Sequence, residues 1–114
     1  MEGALGAGEA LEPRPKLQVG YIRVLLGQGL LDLGRRERAE VVAREGLEIL
    51  KPVVRPEHWM MQQGSIVLGG ALIRGGQVGE GRKVLGPVMA MYESKKAKGW
   101  WAEVARRYAR EGER

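Results

Sequence analysis

The sequence predicts an all-α domain, in which antiparallel helical hairpins stack side by side and a C-terminal helix caps the stack. Three observations indicate this fold class. Apolar residues recur at helical spacing, the chain resembles itself after a shift of 42 residues, and glycines fall at the expected turns of both copies. A chain of 114 residues is long enough for one such domain.

The internal repeat is the strongest of these signals. A shift of 42 positions places VLLGQGLLDLGRR (24–36) on IVLGGALIRGGQV (66–78). Small residues then fall on small ones and large residues on large ones, which predicts two copies of one structural unit. The matching pairs include Leu26 with Leu68, Gly27 with Gly69, Leu30 with Leu72, Gly34 with Gly76, Ala39 with Gly81 and Trp59 with Trp101.

The first repeat is expected at about 20–55, after a disordered or frayed leader at 1–16 that is rich in glycine and proline. Its leading helix is predicted at about 17–33. Its second helix, at 38–50, contains one apolar stripe with the helical period. The stripe consists of Ala39, Val42, Ala43, Gly46, Leu47 and Leu50.

The second repeat is expected at about 62–97. Its leading helix is predicted to begin near Pro56 and to end at about Arg74, before two glycines. A partner helix follows from about 78 to 97, with a kink or a late restart at Pro87 because proline removes a backbone hydrogen bond. The capping helix is predicted at about 100–111, with Trp101 and Tyr108 on its buried face.

The glycines have a physical role in this arrangement. Gly34 and Gly76 lie at the hairpin turns, where glycine adopts positive φ at little cost. Gly27 and Gly69 would allow the two helices of each hairpin to approach closely. The glycine-rich segment 68–82 is therefore predicted to be a hairpin turn with its flanking helices.

The pattern L-G-x-x-L-x-x-x-G-x-x-x-x-A in the first copy resembles the tetratricopeptide repeat. The second copy keeps it with Gly81 in place of the final alanine. The 42-residue spacing is similar to the kinesin-light-chain variant, and the segment 55–58 resembles a drifted copy of that variant's linker. The resemblance covers about 20–101 and implies a short right-handed solenoid.

The resemblance also implies a function. Leading helices of such repeats line a concave groove, so the chain is expected to be a non-catalytic interaction or scaffold module that binds a protein or peptide. The family's carboxylate clamp uses asparagine, which this chain lacks. The implied groove residues are Tyr21, Val24, Gln28, Leu31, Asp32, Gln63, Ile66, Gly70, Ile73 and Arg74.

Two other roles remain open for the apolar members of that set, which would equally suit the core or a contact with another subunit. Two repeats are fewer than the three that such arrays usually need for stability. We therefore expect self-association, or a chain that forms part of a longer array. A C-terminal module of a larger enzyme or regulator is a further possibility.

The sequence lacks the residues that the enzymatic functions considered would require. The run from Gly76 to Lys83 spaces its glycines like a phosphate-binding loop, but no serine or threonine follows the lysine and no β-rich run precedes the glycines. His58 is the only histidine and is expected to be a surface or helix-capping residue. The chain has no cysteine, so thiolate metal sites and cysteine nucleophiles are excluded. No catalytic residue, metal or cofactor is predicted.

The second hypothesis concerns nucleic acid. The formal net charge is +5, and basic residues interleaved with aromatic ones can bind phosphates and stack on bases. Glutamates within the same stretch dilute this charge, so nucleic-acid binding is the weaker expectation. The residues concerned are Lys95, Lys96, Lys98, Arg106, Arg107 and Arg110, beside Trp100 and Trp101.

Neither a secretory signal nor a membrane span is predicted. The first sixteen residues are too polar, and no apolar run approaches the ~18 residues that a span requires. The expected location is the cytoplasm, with which the absence of cysteine is compatible.

Overall fold

The computed structural model describes residues 13–113, and this part of the chain forms five helices and no strand. The predicted all-α class is confirmed. Helices α1 and α2 form one hairpin, α3 and α4 form a second, and α5 packs against α3 and α4, which is consistent with a helical repeat. The helices are α1 (Pro13–Asp32), α2 (Arg36–Leu50), α3 (Trp59–Arg74), α4 (Val78–Ser94) and α5 (Trp100–Gly112).

Helix boundaries differ from the expected ones at three places. The first helix already begins at Pro13, whereas residues 1–12 of the expected leader lie outside the described residues. Helix α3 begins at Trp59 because His58 caps it, its Nδ1 accepting a hydrogen bond of 3.1 Å from the backbone N–H of Met60. Helix α4 ends at Ser94, before Lys96 takes a φ of 53°.

Both hairpin turns end their leading helix with the same hydrogen bonds. Gly34 has a φ of 79° and Gly76 has a φ of 93°, which confirms the predicted turn role of both glycines. The N–H of the residue after each glycine reaches back to the helix, from Arg35 to the carbonyl of Leu30 and from Gln77 to that of Leu72, each at 2.8 Å. This is the Schellman ending of a helix. A glycine-dependent turn therefore closes each hairpin.

The predicted close approach of paired helices is confirmed in the second hairpin. A Cβ atom on Gly69 would lie 3.1 Å from the Cβ of Leu85 and 3.2 Å from the carbonyl oxygen of Gly81. A Cβ on Gly81 would lie only 2.6 Å from a side-chain carbon of Ile73. This crowding explains why the second copy has glycine where the first has Ala39.

Of the kink or late restart expected at Pro87, the restart is wrong, because α4 runs through this residue without interruption. Pro87 lies on the exposed side of the helix, as does Lys83 four residues earlier. Water can therefore hydrogen-bond to the carbonyl that loses its helical partner. The exposed position limits the cost of the proline.

The core lies between the two hairpins and α5. It consists mainly of leucine, isoleucine, valine and alanine, with Tyr108 as its largest fully buried side chain. The predicted stripe of α2 faces it, with Leu47 half-buried and the other members buried. None of the described helices is both long and apolar enough to cross a membrane.

Candidate functional site

The apolar positions of the predicted groove lie inside the molecule. Val24 and Ile66 are fully buried, while Leu31 and Ile73 are 2% and 6% exposed. These side chains form part of the core that joins the two hairpins. In this structure they take the core role that the sequence left open.

Helix α5 packs against α3 and reaches α1 through Tyr108. The hydroxyl of Tyr108 donates a hydrogen bond of 3.1 Å to the Oε1 of Gln28, which is itself buried on α1. A Cβ on Gly70 of α3 would lie 2.5 Å from the Tyr108 ring, so the ring packs directly on the α3 backbone. Burial raises the pKa of Tyr108 above its ordinary value. The chain's own last helix thus occupies the centre of the predicted groove.

An ion pair fixes the end of α5 to α3. The Nε of Arg74 donates to one carboxylate oxygen of Glu111 at 3.0 Å, and a second guanidinium nitrogen donates to the other oxygen at 3.1 Å. The same guanidinium carbon lies 4.9 Å from the centre of the Tyr108 ring. The bond with Glu111 raises the pKa of Arg74. Arg74, a predicted partner-binding residue, thus binds within its own chain.

The remaining polar groove positions also have partners within the molecule. The hydroxyl of Tyr21 donates to the Oε1 of Gln63 at 2.7 Å, a bond between equivalent positions of the two leading helices' inner faces. The Tyr21 ring meets Trp59 edge-on, with 5.1 Å between ring centres. Asp32 is exposed and accepts a bond of 3.1 Å from Gln28. The structure therefore brings the groove residues together, but in contacts with one another.

An apolar surface that the sequence prediction missed lies on α1, on the side turned away from α2 and α3. We call it the outer face of α1. Its large apolar residues have exposed fractions between 39% and 72%. With Gly29, these residues form one broad stripe at helical spacing. The large residues are Val19, Ile22, Leu25, Leu26 and Leu33.

The repeat explains why this face is apolar. Leu26 is 51% exposed, whereas its equivalent Leu68 is 6% exposed. Leu25 is 44% exposed, whereas its equivalent Val67 is fully buried. The first hairpin covers this side of α3, since Val67 lies against Gly27. No described element covers the same side of α1. In the sequence, the pairing of Leu25 and Leu26 with Val67 and Leu68 was the signal that could have indicated this apolar face.

The basic C-terminal stretch forms a shallow recess of about 250 Å³, lined by Trp100, Glu103, Val104, Arg107 and Arg110. Trp100 is 55% exposed. A carboxylate thus lies among the cations that would contact phosphate. Arg106 instead donates a bond of 2.7 Å to the carbonyl oxygen of Ala97.

The glycine-rich segment lies in a helical hairpin rather than after a strand. The glycines at 75–81 lie in the second hairpin turn and the first turn of α4, and a helix, not a strand, precedes them. Within residues 13–113 no group of three or more potential metal-binding His, Cys, Asp or Glu side chains comes together. His58 caps α3, as expected.

Comparison with known proteins adds no identification. The chain matches no family model, no curated protein and no solved structure.

Proposed function

We propose that this chain is a non-catalytic protein–protein interaction module, and that the outer face of α1 is its contact surface. One observation carries the proposal. In the second hairpin the equivalent face is buried by a neighbouring hairpin, whereas on α1 it is exposed. A face of this composition is suited to packing against another helical element.

The size of the exposed face supports the same function. The largest contiguous apolar patch on a typical monomeric protein is about 300–600 Å² and is often a binding site. Burying apolar surface contributes about 25 cal/mol per Å², so covering such a patch would favour association by several kcal/mol before the entropic cost of binding. The face is also nearly free of charge, because Arg23 and Asp32 lie at its sides.

The tetratricopeptide resemblance supports a role in binding proteins, but the groove form of that role is harder to reconcile with the contacts of α5. A peptide could reach Gln28 and Gly70 only if Tyr108 first left them. Displacing a fully buried tyrosine costs several kcal/mol. The outer face of α1 requires no such rearrangement.

Nucleic-acid binding is the alternative function, supported by the exposed Trp100 beside Arg107 and Arg110. Glu103 in the same recess weakens the attraction for phosphate. Titration of single-stranded DNA at two salt concentrations tests it. Binding with a steep salt dependence would support this alternative, and no binding at ~50 mM salt would eliminate it.

A selection experiment tests the proposed function. The immobilised chain is presented with a displayed library of helical hairpins, and the Ile22→Arg variant serves as counter-target. Ile22 is 59% exposed, so the variant should keep its fold, which circular dichroism would verify. We expect selected hairpins to bind the natural chain and the Trp100→Arg control, and to bind Ile22→Arg at least about tenfold more weakly. Selected hairpins that bind both variants equally would refute the α1 surface.

A further inference from the structure

We infer that the outer face of α1 is covered by a second copy of this chain, with the two α1 helices packed antiparallel about a two-fold axis. The inference rests on the proposed function and specifies its partner. It follows from which apolar surfaces of the chain are already covered, from the spacing of residues along α1, and from the charge at the other end of the molecule.

Outside α1, the large exposed apolar residues are single ones on separate segments, Val41 on α2, Val53 in the following loop, Trp59 on α3 and Trp100 on α5. The apolar faces by which the helices pair are buried, with Ala43 of α2 beside Gly27 of α1 and Leu85 of α4 beside Gly69 of α3. Among the described helices, only α1 presents a continuous apolar stripe to solvent. The same stripe on a second copy is therefore the apolar surface that can cover it without breaking contacts within either chain.

The charge distribution disfavours head-to-tail stacking. At the C-terminal end of the molecule, α5 exposes Glu103, Arg107 and Arg110. Packing the outer face of α1 on this surface would remove these charged groups from water, which is costly, and Trp100 is the only large exposed apolar residue of α5 to offset that cost. Packing the outer faces of two α1 helices against each other avoids this cost and forms a closed dimer.

The spacing along α1 is self-complementary. In an antiparallel pair centred between Leu25 and Leu26, residues whose numbers add up to 51 lie opposite each other. Ile22 of each copy then lies opposite Gly29 of the other, and Leu25 and Leu26 of the two copies meet at the centre of the contact. Nothing lies within 4 Å of a Cβ built on Gly29, so this position is an open notch on the helix surface. The large side chain of Ile22 thus fits against Gly29, which has no side chain.

The charged residues of α1 lie at the edges of the contact. Arg23 is bonded to Glu45 of its own chain at 3.3 Å, and Asp32 to Gln28. Two faces of several hundred Å² together bury on the order of 1,000 Å², near the lower limit for a specific interface. The geometry thus points to a modest dimer that assembles and dissociates readily.

Sedimentation equilibrium tests the inference with a pair of size changes. Gly29→Leu fills the notch, and Ile22→Ala removes the side chain that would enter it. Each change should raise the dimer dissociation constant about tenfold or more, while the double variant, with a large residue at 29 and a small one at 22, should return to within about threefold of the natural chain. Because leucine favours a helix over glycine, Gly29→Leu should not lower the unfolding midpoint of a dilute, monomeric sample.

Cross-linking tests the register, since the chain has no cysteine of its own. A mixture of the Ile22→Cys and Gly29→Cys variants should form a disulfide-linked pair far faster than either variant alone, because only the mixture places the two sulfurs within bonding distance. The Trp100→Arg variant, changed on α5, should dimerise like the natural chain.

Two results would overturn the inference. One is a chain that stays monomeric at several hundred µM, and the other is a dimer that neither Gly29→Leu nor Ile22→Ala weakens. If the monomeric chain still bound selected hairpins through Ile22, the proposed function would stand and only the identity of the partner would be wrong. If no hairpin were selected either, both would fail.

Discussion

The two hairpins share a sequence pattern but differ in what surrounds them. Helix α3 has neighbours on every side, with the first hairpin behind it, α4 beside it and α5 in front. Helix α1 has α2 and α3 as its main neighbours and leaves its outer face in solvent. Equivalent leucines thus contribute to the core in one unit and to the surface in the other. The comparison teaches that in a repeat, burial depends on position in the stack more than on residue type.

The largest expected effect comes from truncating the two equivalent leucines. Leu68→Ala should lower the free energy of unfolding by about 3 kcal/mol, because it removes a buried side chain and leaves a cavity. Leu26→Ala should cost under about 1 kcal/mol in a dilute, monomeric sample, since that side chain is already half in water. Urea unfolding followed by circular dichroism measures both. Equal costs would show that the outer face of α1 is covered within the monomer.

A second pair of variants compares two glycines inside the leading helices. Gly70→Ala places a methyl group 2.5 Å from the Tyr108 ring and should destabilise the chain by about 2 kcal/mol. Gly29→Ala, which has open space around it, should instead stabilise it by about 0.5–1 kcal/mol. Thermal unfolding of both would show whether α5 packs on α3. A stabilising Gly70→Ala would contradict the contact.

The Tyr108 hydroxyl offers a smaller and pH-dependent test. Tyr108→Phe should cost about 1 kcal/mol, because the buried amide of Gln28 loses a partner. Burial raises the pKa of Tyr108 above 10.0, so near that pH the unfolded chain ionises while the folded chain stays protonated. The stability of the natural chain relative to Tyr108→Phe should therefore fall as the pH rises above about 10. Urea unfolding at several pH values measures this difference, and a difference independent of pH would contradict the burial.

The smallest expected effect compares two ion pairs. Arg74→Gln breaks the bidentate, half-buried contact with Glu111 and should cost about 1 kcal/mol. Arg44→Gln breaks exposed contacts with Glu40 and Glu80 and should cost about 0.3 kcal/mol. Unfolding in low and high salt distinguishes them, because salt weakens exposed pairs more strongly. A larger loss of stability from Arg44→Gln than from Arg74→Gln would contradict this ranking of the two ion pairs.

Much of the fold was predictable because it depends on local features. Gly34 and Gly76 mark turns by their freedom at positive φ, and the α2 stripe marks a buried face by its period. The restart at Pro87 was wrongly predicted, since the pattern of residues could not show that Lys83 would be in contact with water.

The candidate site was less predictable. The sequence placed Val24 and Ile66 beside Gln28 on one side of the leading helices, and the family resemblance made that side a groove. Whether α5 would cover it depended on contacts between residues as distant as Gln28 and Tyr108. The outer face of α1 was present in the sequence as an apolar pattern, but nothing local distinguishes it from the buried face of α3.

The sequence by itself determined the helices, the turns and the two-unit repeat, because backbone conformational preferences and apolar periodicity act over a few residues. Only the tertiary structure decided which apolar faces are covered. Burial requires a neighbour, and the neighbour of each face is set by the stacking order. Among the described helices, α3 lies between α1, α4 and α5, whereas none of them covers the outer face of α1.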